Sequence, residues 1–313
     1  MDKKLIVRLS NELGNQMFMY ASSYAIARKL NRLLLIDNES AFLSRKNISK
    51  YGLGEFSISS KIADNENKYL GTKGYLKRKI LKKIDLLKNN KSFFIEPRES
   101  NKITRFNKQI YNLNLSNSVY LEGYFETEKY FEDIKDIILK EFTFLRSEFY
   151  KKSMFFSILN KEDSVSICLR QNRFIEGKNQ DNKSNRLKSE QFKNEQISYI
   201  NKSIDYLKSM TKNPTFYLWS NDLKNIDISM FNSKITTVTH KEDFLSKVDQ
   251  RSLDLFLISQ CNHHVVIPSS FNWWGAWLSK REGKIICRPN DNLFSSFKVN
   301  NLDLWPVDWK VIS

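Results

Sequence analysis

Apolar residues fall into short runs of strand length, separated by longer segments with helical spacing. Near the start, LIVRL (5–9) reads as a strand, NELGN as a turn, and MFMYASSYAIARKL (17–30) as a helix on which Tyr20, Tyr24 and Ala27 recur at helical spacing. LLLID (33–37) follows as a second strand, completing a βαβ unit. From about 60 to 115 the chain turns polar and Lys-rich, and is expected to be a mainly helical insertion. Within it Leu76, Ile80, Ile84 and Leu87 form a stripe among eight Lys/Arg between Lys73 and Lys91. Strand-like runs return at 165–170, 215–220, 234–240, 263–269 and 284–289, with helical patterns at 192–210, 252–261 and 271–280.

Strands alternating with helices imply an α/β fold with parallel sheets covered on both faces. Such sheets bind ligands where loops leave the carboxyl ends of their strands, which directs attention to the loops after Arg170, Ser220 and Pro268. A length of 313 residues accommodates two domains. The change of pattern puts the boundary near residue 150, giving domains 1–150 and 151–313. No repeat and no Gly/Ser linker marks it.

The chain has 41% hydrophobic residues, enough for real cores. Its net charge of +16 favours an anionic partner, whether nucleic acid, acidic membrane or phosphorylated ligand, or reflects only a Lys- and Asn-rich composition. Cys168, Cys261 and Cys287 lie far apart, arguing against a disulfide framework or a structural zinc site. No stretch is long and apolar enough to span a membrane, and the first apolar run is broken by Arg8, so a cytoplasmic protein is expected.

Three segments carry candidate chemistry. In LGNQMF (13–18), between a strand and a helix, Gly14 would let the backbone approach a diphosphate and Asn15 offers an amide donor. Arg170, in Cys168-Leu169-Arg170-Gln171-Asn172-Arg173 at a strand end, has a fork of donors suited to phosphate. In Pro268-Ser269-Ser270-Phe271-Asn272-Trp273-Trp274, two hydroxyl residues lead into a helix and can cap it or meet a phosphate, while Trp274 and Trp277 share a face expected to pack in the core.

Together these segments, with LEGYFETEKYF (121–131), TFYLWSND (215–222) and SLDLFLISQCNHHVVIPSSFNWWGAWL (252–278), resemble in content and order the bacterial α-1,2-fucosyltransferases that build surface glycans. The resemblance implies two Rossmann-like domains of the GT-B type, a metal-independent inverting transfer from GDP-fucose to a glycan hydroxyl, and a role in O-antigen or lipopolysaccharide synthesis. It places the donor mainly on the C-terminal domain, with the acceptor in the cleft. Arg170 would hold the β-phosphate, with Cys168 beside it in the motif. Ser269, Ser270 and Phe271 would contact the diphosphate, Ser220 and Asp222 would lie near the guanine or ribose, and Gly14 and Asn15 would close over the leaving group. No cofactor beyond the donor substrate is implied.

The match also departs from the family. Its H-x-R-R-x-D reads Cys168-x-Arg170-Gln171-x-Arg173, and Asn11-Glu12, Asn221 and Pro268 replace Gly-Gly, an Asp and an Asn. A different nucleotide sugar, or a catalytically inactive scaffold, therefore stands beside the fucosyl reading. Glu12, Asp37 and Glu126 are the carboxylates available as general base. A nucleic-acid binder, suggested by charge and by Lys91-Ser92-Phe93-Phe94, is disfavoured because the ordered motifs lie elsewhere. The acceptor is expected to be a glycan, lipid-linked in one reading, with the basic segment either touching the inner membrane face or packing its stripe on the body.

Overall fold

The structure, a computed structural model, describes residues 3–42, 50–97, 105–161, 163–176, 181–240, 248–294 and 302–313. Parts of the basic segment (98–104) and of the polar stretch after Arg170 (177–180) lie outside the described residues. The chain divides into two units, Met1–Leu145 with Leu302–Trp305, and Arg146–Asn301 with Pro306–Ser313. The C-terminal segment joins the first unit through Asp303, which accepts from the Phe106 N–H at 2.8 Å and pairs with Lys129.

The first unit runs β1 (Lys4–Arg8), α1 (Leu13–Lys29), β2 (Leu33–Asp37), β3 (Lys61–Ile62), α2 (Gly71–Leu86), β4 (Lys91–Ile95), β5 (Leu115–Glu122) and α3 (Lys135–Glu141). Its sheet has the order β3-β2-β1-β5-β4, every pair parallel. Leu5, Ile6 and Val7 of β1 are all buried, as a central strand covered on both faces requires. Helix α1 is apolar nearly all round and is buried accordingly. Its Tyr20 hydroxyl donates to Glu141 of α3 at 2.5 Å, and that carboxylate also accepts from Ser59 N–H and Oγ at 2.7 Å each. Burial and the neighbouring carboxylate push the Tyr20 phenol well above its ordinary range.

Two expectations need correction here. The segment 60–115 is not a helical insertion: α2 is a helix, but β3, β4 and β5 are sheet strands. Strands β3 and β4 are short edge strands, and LSNSVYLE of β5 is polar where it begins, so neither shows strong alternation. Second, α1 begins at Leu13, so LGN forms its first turn rather than the preceding loop.

The second unit runs α4 (Ser147–Tyr150), α5 (Met154–Lys161), β6 (Asp163–Leu169), α6 (Lys183–Met210), β7 (Pro214–Ser220), β8 (Ile235–Thr237), α7 (Gln250–Gln260), β9 (His263–Val265), α8 (Ser270–Trp277), β10 (Ile286–Pro289) and β11 (Lys310–Ile312). Its parallel sheet has the order β11-β10-β9-β6-β7-β8. The expected strands all occur, β6 and β7 starting slightly before their apolar runs and β8, β9 and β10 shorter than theirs, while α6 starts nine residues earlier than its apolar period, capped by the Asn182 side chain on the Asn185 N–H at 2.9 Å. Trp273, Trp274 and Trp277 are fully buried, Trp273 stacked on Trp277 and Trp274 edge-on to both, with Trp273 also against Trp309, as core rather than ligand platform.

Helices α7 and α8 pack where Gly275 meets Ile258: a Cβ at Gly275 would stand 2.4 Å from Ile258 Cγ2 and 3.1 Å from its Cβ. Those atoms lie at the root of a β-branched, buried side chain and cannot swing aside. Gly275→Ala gains about 1 kcal/mol of helix preference but must force two packed helices apart. We expect a net loss of about 1–3 kcal/mol in unfolding free energy, read as a lower denaturant midpoint at unchanged slope.

Candidate functional site

Strand β6 is paired on both sides, to β7 with Leu169 opposite Ser220 and to β9 with Ile167 opposite Val265. Parallel pairing brings the three carboxyl ends to one edge, and with them Arg170, Ser220-Asn221-Asp222 and Pro268-Ser269-Ser270. Arg170 is held by its backbone. Buried Gln196 of α6 accepts from the Arg170 N–H at 3.0 Å and donates to its carbonyl at 2.9 Å. The guanidinium is half-exposed and pairs with Glu176 at 2.7 Å. A pair this open is worth at most about 1 kcal/mol, so a phosphate can replace the carboxylate at small cost. Glu176 is returned to Arg170 by a turn at Asn172, whose φ of 57° an Asn tolerates, and which closes with the Ile175 and Glu176 N–H groups on the Asn172 carbonyl.

Asn221 ties this loop to the next strand end. Its side chain accepts from the Gln171 N–H at 2.8 Å, donates to the Gln171 carbonyl at 3.0 Å, and bonds Glu176. Asp222 accepts from Asn225 at 2.8 Å and its N–H donates to Ser220 Oγ at 3.3 Å. Arg173 lies over the Phe192 ring at 5.1 Å and reaches the Pro268 carbonyl at 3.5 Å, joining the β6 loop to the Pro-Ser-Ser turn. A second guanidinium thus approaches this edge from the position where the motif has its Asp. Helix α8 starts at Ser270. Its N-cap Ser269 makes no side-chain cap, and the first intrahelical bond is Trp273 N–H to the Ser269 carbonyl at 3.0 Å. The hydroxyls and first amides of α8, with the dipole behind them, are therefore available to an anion. Within this turn the buried Asn272 Oδ1 also lacks a hydrogen-bond partner.

Two motif residues are buried at this edge. The Cys168 thiol is buried, and that burial pushes it above its ordinary range. Gln171, standing where the family has its second Arg, is also buried and donates to the Asp222 carbonyl. Gln196, Asn221 and Glu176 were not found from sequence. Only a buried Gln in the apolar period of α6 could have signalled the first of them.

In the first unit Gly14 is buried in the first turn of α1, and Asn15 donates to Glu126 at 2.6 Å. Gln16 of the same motif is structural, bonding the Asn11 and Lys50 carbonyls at 2.7 and 2.8 Å and the Gly52 N–H at 2.9 Å. Of the candidate bases, Asp37 is fully buried and already accepts from the Tyr120 hydroxyl and the Glu39 and Ser40 N–H groups, which makes it a structural cap. Glu12 is exposed at the N-cap of α1, and Glu126 is half-buried.

A polar cavity of about 600 Å³ opens at the carboxyl ends of β1, β4 and β5, lined in part by Arg8, Ser10, Asn11, Glu96, Glu122 and Tyr124. Buried Arg8 Nε has no hydrogen-bond partner, and burial, then Arg78, lowers the pKa of this guanidinium. Burial would raise the Glu122 carboxyl, but Lys82 and Arg78 outweigh it and hold it below its ordinary range. Arg8 was read from sequence only as an interruption of an apolar run; a charge at a strand's carboxyl end was the available signal.

Comparison with known proteins is consistent with this arrangement. The model of Glycosyl transferase family 11 matches residues 1–312. An alpha-1,2-colitosyltransferase of Escherichia coli is 26% identical over 308 residues, covering 97% of each chain. The O-antigen biosynthesis glycosyltransferase WbnK of Escherichia coli is 25% identical over 297 residues, 90% of this chain and 92% of that one. Among solved structures, NodZ alpha-1,6-fucosyltransferase soaked with GDP-fucose aligns with a TM-score of 0.54 at 13% identity, covering 89% and 93% of the two chains. An Arabidopsis thaliana FUT1 mutant in complex with GDP aligns at 0.50 and 10% identity, covering 100% of this chain and 77% of that one. These structures share the GT-B fold.

The hold on Arg170 is open to a direct test. Gln196→Leu keeps the volume but strips the Arg170 N–H and carbonyl of partners at a part-buried strand end, a cost of about 1–3 kcal/mol. Chemical denaturation should show that loss, whereas unchanged stability would mean the backbone there is held by other means.

Proposed function

The chain belongs to glycosyl transferase family 11 and is a GT-B glycosyltransferase, and from that premise we propose that it transfers fucose from GDP-fucose to a glycan hydroxyl, in α-1,2 linkage and with inversion. The observation that carries the donor site is the convergence of Arg170 and the uncapped N-terminus of α8 at one sheet edge. In the proposed reaction the acceptor oxygen bonds to the anomeric carbon as the bond to the β-phosphate oxygen breaks. Negative charge then grows on the departing diphosphate. Arg170, the Ser269 and Ser270 hydroxyls and the first amides of α8 are preorganised donors for that charge. Asp222 and Ser220 are assigned to the nucleoside side. Gly14 and Asn15, in the first turn of α1, are assigned to close over the leaving group, and Asn15 also holds Glu126. The polar cavity around Arg8 and Glu96 is assigned to the acceptor glycan.

A second reading keeps the mechanism and changes the sugar to another GDP-linked deoxyhexose. It is supported by the colitosyltransferase relative and by the replacement of the motif's His, second Arg and Asp by Cys168, Gln171 and Arg173.

Thermal stabilisation by a nucleotide panel checks the base and diphosphate together, because a ligand raises stability by RT ln(1 + [L]/Kd). GDP should stabilise more than UDP, CDP or dTDP; a clear win for UDP or dTDP overturns the GDP assignment. Arg170→Ala should cost about 2–4 kcal/mol of transition-state stabilisation, at least ~100-fold in turnover, and a folded variant with near-normal turnover removes Arg170 from the site. Of the candidate carboxylates, Glu126 is assigned as the base, since Asp37 is saturated by donors and Glu12 lies in solvent. Glu126→Gln should abolish at least ~99% of turnover, by general-base magnitudes, yet leave stabilisation by GDP unchanged. Retained turnover assigns the proton elsewhere.

A further inference from the structure

Helix α2 is packed inside out. On its inner face Arg78 and Lys82 grip the two oxygens of Glu122 at 2.5 and 2.9 Å, and Leu81 joins the cluster of Ile6, Phe93 and Tyr120. The buried Asp85 carboxylate accepts from the Ser92 and Phe93 N–H groups at 2.7 and 3.2 Å. Gly74 lets the helix start close to the chain before it, since a Cβ there would lie 2.3 Å from the Tyr69 carbonyl carbon. These anchors fix the rotation of the helix. Turning it to bury its apolar side would strand the Glu122 and Asp85 carboxylates, which a folded protein resists.

The outer face therefore carries the apolar stripe. Leu76, Ile80, Ile84 and Leu87 are 51%, 57%, 45% and 90% exposed. At 100° per residue Lys79 and Lys83 flank the stripe on one side, Lys73 lies within it, and Lys77 and Lys88 flank it on the other. All five lysines are exposed, and none makes a hydrogen bond or ion pair among the described residues. Of the two dispositions that the stripe allows, packing on the body is excluded by this orientation.

We infer that the outer face of α2 docks on an anionic lipid surface, its Leu and Ile side chains entering the headgroup boundary and its lysines meeting lipid phosphates. A narrow aliphatic stripe bordered by cations is the pattern of a helix lying in an interface. The cations on this face are all lysines, point charges suited to a diffuse anionic surface, whereas the Arg78 guanidinium is turned inward onto Glu122. At 16 residues α2 is about 24 Å long, too short to span a bilayer core of ~30 Å, so it lies flat. Each lysine near such a surface favours attachment roughly fivefold. The assignment goes beyond the catalytic reading and does not depend on which sugar is transferred.

The test is co-sedimentation of the full chain with phosphatidylcholine vesicles, with and without phosphatidylglycerol, at low and high salt. The phosphatidylglycerol vesicles should bind the protein, with attachment weakening as salt screens the lysines. Replacing Leu76, Ile80 and Ile84 together by Ser should lower partitioning at least ~10-fold, and Lys73→Gln with Lys77→Gln and Lys83→Gln should remove the preference for anionic lipid, roughly a hundredfold if the three act independently. These positions are on the surface, so both variants should melt as the parent does. Absence of binding in low salt overturns the inference, as does equal binding to neutral vesicles or undiminished binding by the Ser variant. If instead the protein is a dimer that the Ser substitutions dissolve, and vesicles are not bound, the face belongs to a second copy and the lipid assignment falls.

Discussion

The pairing of β6 with a parallel neighbour on each side is the constraint on which the second unit's loop edge depends. Parallel strands run their carboxyl ends to the same edge, so once Leu169 is opposite Ser220 and Ile167 opposite Val265, the residues that follow must emerge together. Arg170, Asn221 and the Pro268 turn are separated by about fifty to a hundred residues in sequence, and no local preference of any of them would bring them into contact. The edge also collects unpaired backbone groups, and most of the side chains found there satisfy them: Gln196 for Arg170, Asn221 for Gln171, Gln171 for Asp222. The framework is thus a network of amides on backbone, and the guanidinium of Arg170 is what projects from it.

That network explains how a degraded motif can sit in a complete edge. The family's charged pair is reduced at Gln171, and Gln171 is buried and serves the loop after β7. Charge returns at Arg173, which lies on Phe192 and reaches the Pro268 carbonyl. One cation of the motif is thus absent at Gln171 and another present at Arg173 on the same edge. In the first unit, likewise, the Gly-Asn-Gln run is largely absorbed by structure, with Gln16 closing loops and Asn15 positioning Glu126.

Buried polar anchors also decide what the surface presents. Glu141, Asp37 and Asp85 each hold several donors inside the first unit, since a buried carboxylate is tolerated only when its oxygens are bonded. In α2 this requirement outranks the usual burial of leucine and isoleucine. Its inner face serves Glu122 through Arg78 and Lys82 and carries Asp85 to the β4 amides, and the aliphatic stripe is left outside.

The sequence by itself determined the α/β class, the order of the elements from β6 to β10, the Trp core of α8 and the family, because these rest on local period and on contiguous motifs such as Ser269-Ser270-Phe271-Asn272-Trp273-Trp274. It did not determine the strands β4 and β5, whose short or half-polar runs acquire strand character only by pairing with neighbours. Nor did it determine the burial of Cys168 and Gln171, the double hold of Gln196 on Arg170, the saturation of Asp37, or the direction in which α2 faces. Each of these depends on which distant group supplies a hydrogen-bond or charge partner. Such partners are chosen when the sheets assemble, and the one-dimensional pattern of apolar and polar positions records which side chains need a partner without recording where it will be found.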